Sequence, residues 1–328
     1  MALGDGIRRN IASVSKQERK LFRKAIIALH KHFHYPGSRI DIPPGGVSYW
    51  FKQDEIHAGI RINGPAFLPW NRELVNRFEA LLRQVDPALS LHYWDWTTDP
   101  SWMFTSDFMG NANGDAGEPW LTAGIYDPSA QPFRSESPFD PNNPFDPPRT
   151  LQRAVTQNAP FVPADDERLL AGQDFEDFDT LMQTSSRNDG TADGGFYGIA
   201  MHWIGDTLAM PYTAFRDPFV FLIQSNVDRL FGIWQNQPGH PERHDPNNSQ
   251  GVYGSYANSV GSGDVLSHRP NWGILSPLEP WAGPGAQTSQ TGQIAHVPQI
   301  RPWASPENQM VVKNSLDPTV VNSNAMYQ

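Results

Sequence analysis

Residues 64–79 read Gly-Pro-Ala-Phe-Leu-Pro-Trp-Asn-Arg-Glu-Leu-Val-Asn-Arg-Phe-Glu and open the most regular segment of the chain. From position 74 onward, apolar side chains recur every three or four residues, which is the spacing of one face of an α-helix. That face comprises Leu74, Val75, Phe78, Leu81, Leu82 and Val85. Asp86-Pro87 follows, and proline does not continue a helix. The pattern predicts an amphipathic helix over residues 70–85 that buries its apolar face.

A second apolar segment, residues 215–230, reads Phe-Arg-Asp-Pro-Phe-Val-Phe-Leu-Ile-Gln-Ser-Asn-Val-Asp-Arg-Leu. Pro218 suits the first turn of a helix, because no backbone N–H is needed there. Pro238-Gly239 supplies an end signal. These residues predict a helix over 217–236.

The rest of the chain combines further helices with long irregular segments. The capping box Ser15-Lys16-Gln17-Glu18 and the apolar spacing of residues 195–205 predict two more helices. Residues 98–185 are rich in Asp, Pro and Gly, which is typical of turns. The tail over 237–328 has little periodicity, and we expect it to wrap over the core.

The composition excludes several classes of protein. The net charge of −10 and the lack of a basic cluster argue against a nucleic-acid or anionic-membrane partner. The chain has no cysteine, so disulfides, thiolate catalysis and iron–sulfur clusters are excluded. Apolar runs are too short to span a bilayer, and the first residues carry no signal region. We therefore expect a soluble protein, either cytoplasmic or secreted with its leader removed.

Both helical segments resemble copper-binding motifs of the tyrosinase, catechol oxidase and haemocyanin family. Residues 67–72 resemble the family's Phe-Leu-Pro-Trp-His-Arg block, and residues 217–230 resemble its Asp-Pro-Phe…His-x-Asn-Val-Asp-Arg-Leu block. Residues 91–97, Leu-His-Tyr-Trp-Asp-Trp-Thr, match the segment that follows the first block. The resemblance extends over residues 7–110 and 192–255.

The resemblance implies a mainly α fold, with a central four-helix bundle, long irregular loops and a few short strands. We expect a single domain over residues 1–328 with its core at 7–110 and 192–255. The remainder is expected to form a loop-rich part at 111–191 and a C-terminal wrap at 256–328. In the family, the bundle holds two copper ions through histidines on facing helices.

The histidines that the resemblance leads us to expect are largely replaced. Asn71 stands in the first block and Gln224 in the second, while Tyr197 and Met201 align with the His-x-x-x-His pair of the second copper. His57 is the candidate survivor of the first copper site. At most one of six ligands remains, so we predict that the protein holds no copper, and we expect no other cofactor.

The stretch in which the middle ligand of the first copper should lie reads Arg61-Ile62-Asn63. The predicted substrate-binding set is therefore Arg61, Asn63, Asn71, Met201 and Gln224.

Two interpretations of the replaced residues stay open. Amides and a phenol could satisfy one another where imidazoles once stood. Alternatively, a polar pocket could use His57 or Tyr197 to move protons, with His202 in reserve and Arg61 holding an anion. Asp54-Glu55 beside His57 could orient its imidazole, but we expect these two residues to lie on a solvated helix face.

Three functions follow from these interpretations. The first is a copper-independent enzyme that acts on a small aromatic or phenolic molecule by acid–base chemistry. The second is a non-catalytic homologue, natural or engineered. The third is a residual copper-dependent phenol or catechol oxidase.

Overall fold

The computed structural model of the protein describes residues 6–31, 49–60, 67–113, 151–183, 195–210, 213–244 and 326–327. Within them the fold is mainly α, as the sequence predicts. The α-helices are α1 (Lys16–Lys31), α2 (Tyr49–Ile60), α3 (Phe67–Val85), α4 (Pro163–Leu170), α5 (Phe175–Gln183), α6 (Gly195–Ile204) and α7 (Phe219–Gln235). Short 3-10 turns occupy Ser101–Met103, Ala214–Arg216 and Pro241–His244.

The ends of the helices follow local chemistry. Ser15 Oγ accepts the backbone N–H of Glu18 at 3.2 Å, which caps α1 as the capping box predicts. Asp217 Oδ1 accepts the backbone N–H of Phe219 at 3.0 Å and so satisfies the first turn of α7. Helix α3 begins at Phe67, three residues before the predicted start, because Pro69 fits within its first turn.

Helices α3 and α7 pack together at the centre of the fold, as their apolar faces require. Phe78 of α3 stacks on Phe221 of α7 with ring centroids 3.5 Å apart. Trp50 of α2 meets both rings edge-on, at 6.0 Å from each. Helix α1 lies against α2 and α3, and α6 lies against α7. This arrangement brings α2, α3, α6 and α7 into one helical bundle.

The strands are short, as expected. Strand β1 (Ile7–Arg8) pairs in parallel with β2 (Met326–Tyr327). Apart from 326–327, the expected C-terminal wrap over 256–328 lies outside the described residues.

The expectation of an irregular segment over 98–185 was incomplete, because helices α4 and α5 lie within it. Helix α5 buries Phe175, Phe178 and Met182, which are spaced three and four residues apart. That spacing marks one helix face, but the segment is too short for its periodicity to stand out among the surrounding turn residues.

Buried charges join β1 to the central helix pair. Arg8 bonds Glu79 of α3 and Asp228 of α7, the latter at 3.1 Å. Arg72 of α3 donates to the other oxygen of Asp228 at 2.6 Å. We name Arg8, Arg72, Glu79 and Asp228 the ionic network. It ties α3 to α7 and both to β1.

Candidate functional site

The candidate site starts where the first turn of α3 meets the first turns of α7. Asn71 Nδ2 donates to the backbone carbonyl of Gln224 at 2.9 Å. Both side chains are 0% exposed. The two residues are 153 positions apart in sequence, so the fold alone brings them together.

Helix α6 adds a phenol to this pair. Gln224 Nε2 donates to the Tyr197 hydroxyl at 2.7 Å. The Tyr197 ring packs against Phe67 of α3 with centroids 5.1 Å apart. We name Asn71, Tyr197 and Gln224 the amide–phenol cluster. Its members come from three helices, at three of the six positions where the resemblance places imidazoles.

Two oxygens of the amide–phenol cluster are buried without a partner. Asn71 Oδ1 and Gln224 Oε1 accept no hydrogen bond from the described residues. A buried polar atom normally has a partner, so an unpartnered acceptor requires an explanation. The cluster is therefore only half satisfied by its own members.

Tyr197 is a neutral phenol in this setting. Burial raises the pKa of Tyr197 well above its ordinary value, and the hydrogen bond from Gln224 opposes that effect only weakly. Met201 lies one helical turn after Tyr197 on α6 and is buried. The cluster and its thioether neighbour therefore carry no formal charge at neutral pH.

His57 lies on α2 against aromatic rings. Its imidazole stacks on Phe215 with centroids 4.1 Å apart, and Trp70 of α3 lies at 6.4 Å. His57 is half-buried.

The expectation that Asp54 lies on a solvated face is wrong. Asp54 is buried and accepts from Arg216 Nε at 2.9 Å. This ion pair ties α2 to the turn before α7, close to His57 in sequence. The partner of Asp54 is 162 residues away, so no local pattern could indicate it.

His202 faces away from the site. It is exposed, and its Nδ1 lies 2.8 Å from the carbonyl oxygen of Gly198 in its own helix. It follows the buried Met201, and one step along a helix rotates a side chain by about 100°. Arg61 and Asn63, the other predicted site residues, lie outside the described part of the chain.

Sequence reasoning missed the aromatic walls of this region. Phe67 contacts Tyr197, and Phe215 stacks on His57. Both are quoted in the motif segments, but a motif does not reveal which ring meets which polar group. Each lies within a few residues of a predicted ligand position, and that was the available signal.

The donor set does not fit a dicopper centre. The positions carry two amides, a neutral phenol and a thioether, whereas imidazoles are the ligands such a centre requires. Amides are weak copper ligands, and the phenol would have to ionise against its raised pKa. Within the described ranges, no group of three His, Cys, Asp or Glu side chains is placed to hold a metal ion.

No helix of the described residues is long and apolar enough to cross a membrane.

Curated proteins with similar sequences include tyrosinases and tyrosinase-like proteins. The chain is 26% identical to the tyrosinase of Streptomyces antibioticus over 255 residues, which is 72% of this chain and 84% of that protein. It is 27% identical over 252 residues to a putative tyrosinase-like protein, tyr-3, of Caenorhabditis elegans. That match covers 71% of this chain but only 31% of the nematode protein, so the chain spans about a third of that relative's length.

Solved structures show the same fold. A polyphenol oxidase from Thermothelomyces thermophila superimposes with a TM-score of 0.63 at 18% identity, covering 98% of this chain and 88% of that one. A tyrosinase from Burkholderia thailandensis gives a TM-score of 0.52 at 16% identity, covering 98% of this chain and 73% of that one. The family model for the common central domain of tyrosinase matches residues 22–237, more than half of the chain. The chain therefore belongs to the tyrosinase family.

Proposed function

We propose that this protein is a tyrosinase-family homologue that does not oxidise phenols with copper. In place of a dicopper centre, the amide–phenol cluster forms the centre of the bundle. The observation that carries the proposal is the hydrogen-bonded chain from Asn71 through Gln224 to Tyr197. Asn71 donates to the backbone of Gln224, and the Gln224 side chain donates to Tyr197, at positions where the resemblance places imidazoles that point at a metal ion.

Copper chemistry would need more than the chain offers. Each ion of a type-3 centre requires three imidazoles, and affinity depends on the number and type of ligands. His57 is the one imidazole aligned with a ligand position, and it stacks on Phe215. A residual copper-dependent oxidase therefore receives no support from the geometry.

A non-catalytic role fits the geometry better than acid–base catalysis. A general acid or base must lie within hydrogen-bond reach of its substrate and titrate near the working pH. Tyr197 has a raised pKa and holds its proton, and His202 points outward. His57 packs against the rings of Phe215 and Trp70. We therefore favour a binding or structural homologue.

One observation keeps acid–base chemistry on a small aromatic or phenolic molecule as the second candidate. Asn71 Oδ1 and Gln224 Oε1 are buried acceptors without a partner among the described residues, and the Tyr197 hydroxyl is hydrogen-bonded to the Gln224 amide. Such groups could orient the hydroxyl of a bound molecule. His57 would then be the group best placed to exchange a proton with it.

The test of the proposal is metal content measured together with oxygen consumption. The purified protein should contain no stoichiometric copper, before or after incubation with Cu(II) and removal of loosely bound ions. It should consume no oxygen with a catechol as substrate. The Streptomyces antibioticus tyrosinase, treated in parallel, is the positive control. Two tightly bound copper ions per chain together with oxygen uptake would overturn the proposal.

Catalysis without copper is tested by comparing variants rather than by metal content. The probes are a phenol and a catechol, followed for any chemical change by chromatography. If a conversion is found, His57→Gln should abolish it while leaving the thermal midpoint close to that of the parent. In the absence of any conversion, the non-catalytic assignment stands.

A further inference from the structure

We infer that the amide–phenol cluster binds a neutral hydroxyl group, supplied either by a water molecule or by a small uncharged alcohol. This inference rests on the proposed copper-free site and names the chemistry of what that site holds. It follows from hydrogen-bond requirements that differ among neutral hydroxyls, cations and anions.

The orientation of the Asn71 amide is fixed by its neighbour. Its Nδ2 lies 2.9 Å from the backbone carbonyl of Gln224, and a carbonyl oxygen can only accept. The nitrogen must therefore face that carbonyl, which leaves Oδ1 as a buried acceptor on the other side. Asn71 Oδ1 thus requires a donor that the described residues do not supply.

Tyr197 and Gln224 add the opposite requirement, which is an acceptor for a hydrogen bond that the cluster donates. Gln224 Nε2 donates to the Tyr197 oxygen, so the phenol's own proton remains available for donation, and Gln224 Oε1 needs a donor. If the Gln224 amide were rotated, the phenol would donate to Oε1 and Nε2 would need an acceptor. In either orientation the cluster can donate one hydrogen bond outward. In either orientation Asn71 Oδ1 still accepts one.

Only a group that both donates and accepts meets these requirements. A metal or ammonium cation cannot accept from the phenol or the amide, and the neutral cluster offers no carboxylate to compensate its charge. An anion cannot donate to Asn71 Oδ1. A hydroxyl both donates and accepts: an alcohol, with one proton, meets the requirements when the Gln224 amide is rotated, and a water, with two protons, meets them in either orientation. A buried water is stable when it has two to four such partners.

The binding experiment uses four ligands that share one ring and differ in one group. Benzyl alcohol is the neutral hydroxyl, toluene has no hydrogen-bonding group, benzoate is the anion and benzylammonium is the cation. Thermal shift and titration calorimetry are run on the copper-free protein at neutral pH. If the guest is organic, benzyl alcohol should raise the thermal midpoint and the other three should not.

Two variants test whether benzyl alcohol binds at the amide–phenol cluster. Asn71→Leu removes the fixed acceptor at similar volume, and Asn236→Leu makes the same change at the exposed end of α7. Binding of benzyl alcohol should weaken at least roughly tenfold in the first and stay unchanged in the second. If Asn71→Leu does not fold, Tyr197→Phe serves instead, because it keeps the ring and removes the hydroxyl.

A crystal structure of the ligand-free protein distinguishes the two sources. An ordered water within hydrogen-bond distance of Asn71 Oδ1, with no binding of any probe, supports the inference with water as the guest. Preferential binding of benzoate or benzylammonium would overturn it, and so would a structure in which no hydroxyl or water contacts Asn71 Oδ1. A copper ion at this place would instead contradict the proposed function, so the two failures are distinguishable.

Discussion

The same two helices carry two polar centres that differ in kind. The ionic network joins α3 and α7 through Asp228, which accepts from Arg8 and Arg72. The amide–phenol cluster joins the same helices through Asn71 and Gln224. In sequence, Asn71 is adjacent to Arg72, and Gln224 lies one helical turn before Asp228.

The difference lies in how completely each centre is satisfied. The four charged side chains of the ionic network are paired with one another. The cluster, in contrast, leaves Asn71 Oδ1 and Gln224 Oε1 without a partner. A satisfied buried network supports the fold, whereas a half-satisfied one indicates a place that accepts something more. We therefore assign the ionic network to stability and the cluster to binding.

The largest effect should come from Asp228→Ala. The substitution removes the carboxylate that Arg8 and Arg72 share, and breaking a buried ion pair by removing one partner costs about 3–5 kcal/mol. Urea unfolding would show that loss as a lower midpoint. The control is Asp165→Asn, which removes the charge of a surface pair with Arg168 at 3.7 Å but keeps an oxygen for the Val162 N–H at the start of α4, and it should change stability by less than about 1 kcal/mol. Equal effects of the two substitutions would show that the ionic network is not structural.

A smaller loss is expected for Tyr197→Phe. It leaves Gln224 Nε2 buried without its acceptor, which costs about 1–3 kcal/mol. Gln224→Met, alone and combined with Tyr197→Phe, completes a double-mutant cycle. The combined variant should lose less stability than the two single variants added together, because both partners of one bond are then gone. Additive losses would mean that the Gln224–Tyr197 bond contributes nothing.

The sequence predicted the helices of the bundle well because their apolar faces are long and regular. The pairing of Asn71 with Gln224 followed from placing both within motif segments. The mutual bonding of Tyr197 and Gln224 was one of two open interpretations, and hydrogen-bond partners across helices cannot be read from spacing. The 2.7 Å hydrogen bond from Gln224 Nε2 to the Tyr197 hydroxyl favours the interpretation in which amides and a phenol satisfy one another.

The errors share one physical cause, which is the lack of local signal for long-range partners. Asp54 looked solvated because Arg216, its partner, lies on a distant segment. Helices α4 and α5 were not predicted because short apolar patterns are weak against surrounding turn residues. His202 was retained as a reserve proton carrier, although its neighbour Met201 already indicated that it would face outward.

A still smaller effect concerns Glu73, which lies on α3 two residues after Asn71. Burial raises the pKa of Glu73, and its ion pair with Arg77 lowers it only in part. The folded state therefore binds more protons than the unfolded state as the pH rises above the ordinary value of 4.5. Stability contributed by this group is present at low pH and falls as the pH rises through the folded pKa.

Glu73→Gln should reduce the decrease in the free energy of unfolding as the pH rises. The free energy of unfolding is measured in urea across the acidic range for both proteins, and the curves should converge at the acidic end. The expected difference is below about 1.4 kcal/mol per pH unit, the limit for a single proton. A variant curve that keeps the parent's slope would show that another group governs this range.

No gain in copper content or in catechol oxidation is expected when two of the replaced histidines are restored. In Asn71→His/Gln224→His, the second copper position would still carry Tyr197 and Met201 in place of imidazoles, and the first would lack its middle ligand. Copper content should stay well below one ion per chain, and catechol oxidation should remain absent. Adding Tyr197→His and Met201→His gives the second position its three imidazoles, so copper content should rise toward about one ion per chain. Oxygen uptake should still be absent, because the chemistry of the family requires both ions. Oxidation in the double variant would instead mean that ligands from elsewhere in the chain complete both sites, and that the cluster is a repairable copper centre.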